Sequence, residues 1–429
     1  MGYLLSKQRE ILLITKLKIK KERVSYILLI SVVIVAFFDA HIEQIFGIKR
    51  LPLPELLIVF IGLSLLVYRL YKNSKAYALN IIIGILLFLS LLSATLKSTG
   101  VLAGVLGTIW LYKSLIAIYV GFSLRLNENH KQSILKLLFN IGVISAIFTW
   151  IQFFYGPLNP FFYGFFNPFD FILSSSGIIG FMDNPNKNGF ILLYALFYTL
   201  FIKKKNRFFW MFIFVSSILF AQSRQIIIIL ALVMGYYFIV VKKNYIIFAS
   251  TVAISTLIIF LFRDLFFSRF SELSRIFDTE NYFRIKAFKI GMQVLSSNPF
   301  LGSGPGTFGG IVAHLTDSPI HEQYNLFEHW KYYRKLWKVP VTIDMYWPHL
   351  LVEVGVITFL INIWFYSLIY KKIKTILKSS TQLLRILFLI VMFMGIFSMS
   401  LESSYIAIPI FLLVGIDLHL HNKIRNETT

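Results

Sequence analysis

The chain has 429 residues, 57% of them hydrophobic and only 14% charged, with a mean hydropathy of +0.73. A soluble domain carries about 25% charged residues and seldom contains apolar runs near twenty residues, so this composition points to a membrane protein. The net charge of +22 comes with no cysteine; disulfides and thiolate metal sites are excluded, and lysine-rich loops beside membrane spans explain the charge without nucleic acid.

The N-terminal "MGYLLSKQREILLITKLKIKKERVS" is too charged and interrupted for a cleaved signal and reads as an amphipathic lead-in attracted to anionic headgroups. Apolar stretches follow near 25–40, 54–71, 77–96, 101–123, 134–155, 188–202, 208–222, 225–241, 245–262, 346–369, 382–400 and 404–420. The pattern predicts an all-α polytopic membrane protein of about twelve transmembrane helices. Lysine and arginine gather in alternate loops, such as "KKKNR", "VKKN" and "YKKIKTILKSS", which places both termini in the cytoplasm by the positive-inside rule. The expected organisation is a membrane domain over 1–262, a large outer loop over 263–345, and a second membrane domain over 346–429.

Several residues in this frame could carry chemistry. Lys113 falls near the middle of the fourth span and Glu353 about two turns into the tenth. Ionisable groups at such depth are costly and usually pair or line a polar path, so a Lys113–Glu353 pair is one arrangement open to them. "GFMDNPNKNGF" sets Asn184, Asn186 and Asn188 around Pro185. The segment reads as an Asx turn and helix cap, or as a helix N-terminus that favours anions. Arg224 lies in the tight turn "AQSRQ", where it caps carbonyls or meets an anionic ligand.

In "NYFRIKAFKIGMQVLSSNPFLGSGPGTFGG", helical spacing puts Lys286, Lys289 and Gln293 on one face and Arg284 on the other. The lysines suit water or lipid phosphates, and Arg284 suits either a headgroup or a bound anion. The turn that follows, with Gly302 and Gly304, lacks the Gly-Lys-Ser/Thr ending of a nucleotide-binding loop. At the mouth of the tenth span, "TIDMYWPHLLVEVG" offers Asp344, His349 and Glu353, any of which could act as a general base. His349 beside Trp347 and Pro348 equally suits a membrane interface. His314, His321 and His329 show no metal-ligand spacing, so no metal is expected.

Four segments in order resemble the O-antigen ligase/polymerase family: "GFMDNPNKNG", "QSRQ", "FRIKAFKIGMQVLSSNPFLGSGPGTFGG" and "DMYWPHLLVEVGVITF". The resemblance covers residues 180–360 and implies a GT-C-like membrane fold acting on undecaprenyl-diphosphate-linked glycans at the outer leaflet of the bacterial cytoplasmic membrane. Ligases of that family carry a His-Asn pair about nine residues before the glutamate of the last motif, where this chain has Asp344-Met345. The departure favours a polymerase; a ligase and, less so, a polysaccharide transporter or flippase are the alternatives.

On this reading Arg224 and Arg284 hold the donor diphosphate, and Asp344 or His349 takes the acceptor's proton. Asn184, Asn186, Lys286, Gly302, Gly304, Glu353 and Lys113 lie on the substrate side. No cofactor is expected, since the donor is already activated. The expected partners are lipid-linked glycans, membrane lipids, a chain-length regulator and a flippase.

Overall fold

The computed structural model describes residues 23–38, 53–71, 78–96, 101–124, 126–155, 185–203, 205–221, 223–235, 283–316, 318–324, 345–376, 378–396 and 403–428, with a few single positions between them. Among the described residues an apolar helix over Arg23–Phe38 leads into thirteen others. They are α1 (Leu53–Tyr71), α2 (Ala78–Leu96), α3 (Val101–Ser123), α4 (Glu128–Tyr155), α5 (Pro185–Phe201), α6 (Arg207–Ala221), α7 (Arg224–Gly235), α8 (Phe283–Ser297), α9 (Gly310–Leu315), α10 (Pro319–Gln323), α11 (Tyr346–Lys374), α12 (Ser379–Met394) and α13 (Ser404–Thr428). The described residues hold no strand.

The all-α class stands, but the membrane topology needs correction. Among the described residues four helices are long and apolar enough to cross a membrane: Leu102–Ser123, Glu128–Phe154, Tyr346–Lys374 and Ser404–Asn422. Length sets three of the other expected spans apart. The stretches expected to cross near 188–202, 208–222 and 382–400 form helices of 17, 15 and 16 residues. At 1.5 Å per residue these reach about 22–26 Å, short of a hydrocarbon core of about 30 Å. The stretch near 245–262 lies mostly outside the described residues. A GT-C-like bundle of about twelve spans is therefore replaced by an all-α bundle with four candidate spans. The both-ends-cytoplasmic, multi-pass inner-membrane placement was counted from twelve alternating crossings and falls with them.

The core is built around α3 and α13. Buried Ile118, Val120, Leu412 and Ile416 interleave along this crossing. The two helices approach through Gly121 and Gly415: a Cβ on Gly121 would run into the Leu412 carbonyl, and one on Gly415 into the Ile118 carbonyl. Small residues at a helix crossing let backbones meet closely enough for extensive van der Waals contact. Around this pair, α1 and α2 pack on α3, while α4, α5 and α6 form a neighbouring group joined to it through α13.

Two buried lysines are neutralised in pairs. Lys113 Nζ, fully buried, donates to Glu55 Oε1 at 2.6 Å and to Ser404 Oγ at 3.2 Å, and lies 4.1 Å from the centre of the Trp110 ring. Lys131 Nζ donates to Asp417 Oδ1 at 2.5 Å and to Ser380 Oγ at 2.9 Å. Each pair joins helices far apart in sequence, and desolvated charges persist there only because partner and hydroxyl satisfy them together.

Candidate functional site

The segment that follows α8 is bound to an interruption in α11. Gly355 has φ 74° and ψ 173°, a conformation essentially reserved for glycine, and it divides α11 into a short half before it and a long half after it. The broken turn frees backbone groups that the glycine-rich segment takes up. Ser303 N–H donates to Val352 O and Gly304 N–H to Glu353 O, both at 2.9 Å, while Val356 N–H donates to Pro299 O at 2.9 Å. The polar backbone opened by the break is thus satisfied by the loop seated in it, as a low-dielectric setting demands.

The Glu353 side chain completes this junction. Oε2 accepts from Gly306 N–H at 2.7 Å, and Oε1 from Phe308 N–H at 2.7 Å and Gly309 N–H at 3.0 Å. The carboxylate is fully buried. One turn earlier on the same face, His349 Nε2 lies 2.9 Å from Glu353 Oε1. The contact lacks the alignment of a hydrogen bond. His321, in α10, brings its Nε2 within 2.8 Å of Phe308 O. Ser318 Oγ donates to Thr307 O, and Ser93 Oγ of α2 donates to Leu301 O at 2.6 Å. Beneath the loop, Ala287, Ile290 and Val294 of α8 pack on Phe308 and Val352.

This geometry changes the role of the glycines. Gly302 and Gly304 have φ of 70° and 97° and are buried. The amides of Gly306, Phe308 and Gly309, which follow them, point inward at Glu353, so the turn holds a protein carboxylate. Glu353 and Lys113 do not meet: Lys113 belongs to Glu55, and Glu353 to the loop.

The other expected site residues are scattered. Asn186 is exposed at the start of α5 and accepts from Ser223 Oγ at 2.7 Å, which ties that helix to the entry of α7. Lys286 is half-buried on α8. Arg224 is the first residue of α7 and Arg284 the second of α8; both side chains, with Asn184 and Asp344, lie outside the described residues. Of the proposed catalytic groups, the structure places only His349, and it sets it beside Glu353.

Two residues named in the sequence make contacts that the sequence did not foretell. One is His321, whose lone position carries no spacing signal. The other is Asn188, buried in α5, where Ser145 Oγ donates to its Oδ1 at 2.5 Å and its Nδ2 donates to Thr149 Oγ1 at 2.9 Å and Ile178 O at 3.1 Å. Asn188 fastens the approach of this loop to α4, a structural use of the "NPNKNG" segment. Among the described residues no cluster of three or more His, Asp or Glu side chains could hold a metal ion.

No known family matches the chain, and no curated protein matches it. Glycan polymerisation by a membrane protein of about twelve spans is not retained, because the described helices supply four candidate crossings and the glycine turn expected beneath the glycan is occupied by Glu353.

Proposed function

We propose that the chain is a membrane-inserted enzyme that activates a hydroxyl group for group transfer, with His349 as the general base. The observation that carries the reading is the buried His349–Glu353 pair at the break in α11, 2.9 Å apart. Ionisable groups inside an apolar helix are expensive and serve a purpose. Glu353 is held still by three backbone N–H groups, so it presents a fixed negative charge to the imidazole. In the reaction the hydroxyl oxygen bonds to the transferred carbon while the bond to the leaving group breaks, and the hydroxyl proton passes to His349. Glu353 then stabilises the imidazolium without taking the proton, the role that a buried carboxylate plays behind a catalytic histidine.

The test incubates the purified full chain with a panel of activated acyl and glycosyl donors and a hydroxyl acceptor, and scores transfer. His349→Gln is expected to lower turnover about 10²- to 10⁴-fold while the protein stays folded. Undiminished turnover in that variant, or no transfer product from the wild type, would overturn the proposal.

A further inference from the structure

The hairpin of α11 and α12 carries an apolar groove of about 740 Å³ that the proposed chemistry does not use. α11 contributes Phe359, Ile363 and Tyr370 to its wall, and α12 contributes Leu389 and Phe393. Ile363, Leu389 and Phe393 are each about 40% exposed, so the groove opens outward. Lys371 closes one end, with exposed Lys372 and Lys374 beside it.

Three observations define what fits. The volume lies in the range of sites for drug-sized ligands, about 300–1,000 Å³. From Phe359 to Lys371 the groove follows twelve residues of helix, about 18 Å at 1.5 Å per residue, close to the roughly 15 Å depth of one leaflet of a 30 Å core. Its polar end is cationic. Lys371 stands sixteen residues past the break at Gly355, about 24 Å along the long half of α11, while Trp347 of the short half lines the groove beside Phe359 and Tyr366.

We propose that this groove binds an anionic phospholipid, one acyl chain lying between α11 and α12 and the phosphate meeting Lys371. A single leaflet-length chain matches the groove, and the lysine group supplies the charge that a zwitterionic headgroup would not reward. The lipid is a structural or regulatory ligand whose headgroup lies at the Lys371 end of the groove. The proposal rests on the reading that α11 crosses a membrane.

The test uses the full chain incorporated from vesicles of equimolar phosphatidylglycerol and phosphatidylcholine, released from mild detergent and examined by native mass spectrometry. The wild type is expected to retain one phosphatidylglycerol in preference to phosphatidylcholine. Lys371→Glu is expected to reduce that preference by about fivefold or more, the attraction of one lysine to an anionic surface being about 1 kcal/mol. Ile363→Trp, which fills the groove from an exposed position, is expected to remove the lipid of either type; Leu389→Trp serves if the first variant misfolds. Equal retention in wild type and groove variants, or no preference for phosphatidylglycerol in the wild type, overturns the proposal. Resistance of the protein to alkaline carbonate extraction is measured in parallel. An extractable chain refutes membrane insertion itself, a failure distinct from that of the groove and from loss of turnover in His349→Gln.

Discussion

Glu353→Gln is the sharpest perturbation of the junction between the glycine-rich segment and α11. The wild-type carboxylate accepts three backbone N–H groups at 2.7, 2.7 and 3.0 Å and carries the charge beside His349. A glutamine can keep one carbonyl oxygen for Phe308 and Gly309, but its NH₂ then confronts Gly306 N–H, donor against donor. A buried unpaired N–H costs about 1–3 kcal/mol. Converting two charge-assisted bonds to neutral ones removes roughly 1 kcal/mol each. The sum, about 3–5 kcal/mol, falls on local docking of the loop more than on the whole bundle, because α3 and α13 hold their crossing independently. Amide hydrogen exchange on the full chain should show it. Peptides covering residues 302–310 are expected to lose at least about a hundredfold in protection, at 1.4 kcal/mol per tenfold, while peptides from α13 change little. Wild-type protection in that segment would refute the account of Glu353 as the residue that holds the loop.

Other perturbations test other joints of the fold. Gly355→Ala imposes a Cβ on a backbone with φ 74° and against Phe300 O; a loss of about 2–4 kcal/mol is expected, read as a lower unfolding midpoint. Lys113→Met strands Glu55 in the core and should cost about 3–5 kcal/mol, whereas Lys113→Met with Glu55→Leu should recover most of it; a double-mutant cycle on thermal unfolding decides. Gly415→Leu would force α13 from Ile118 of α3, with a cost of about 3 kcal/mol or failure to accumulate in membranes, checked by expression and unfolding midpoint. Asn188→Ala removes the acceptor of Ser145 Oγ and the donor to Thr149 and Ile178. About 2 kcal/mol is expected, and a stability equal to wild type would contradict its role as the tie between α4 and α5.

Periodicity made the helices near 101–123, 134–155, 346–369 and 404–420 legible, and each of these corresponds to a candidate span. It did not show where shorter apolar runs end. A run of apolar residues reports that a segment is buried, and burial inside a bundle looks the same as burial in lipid. The stretch near 208–222 illustrates this: α6 covers only 15 residues and buries most of its second half, from Phe214 to Ala221, against its neighbours.

The site divided in the same way. That Glu353 and Lys113 need partners follows from the cost of an isolated charge in an apolar helix. Which partners they take does not follow, because Glu55 lies 58 residues before Lys113 and the loop amides lie 44–47 residues before Glu353. The glycine cluster announced a tight turn but not its direction. Gly355 in "VEVGV" reads as an ordinary glycine in a helix until Pro299, Ser303 and Gly304 are brought against it.

The sequence by itself determined an all-helical, strongly apolar chain without disulfides, in which buried charges must be matched and residues 302–310 must turn sharply. Only the tertiary structure decided which charges match, where α11 breaks, and that the glycine turn closes on Glu353. The physical reason is range. Helical propensity, hydropathy and left-handed backbone conformations act within a few residues, whereas a buried carboxylate finds its donors through whichever backbone the packing of distant helices brings within 3 Å.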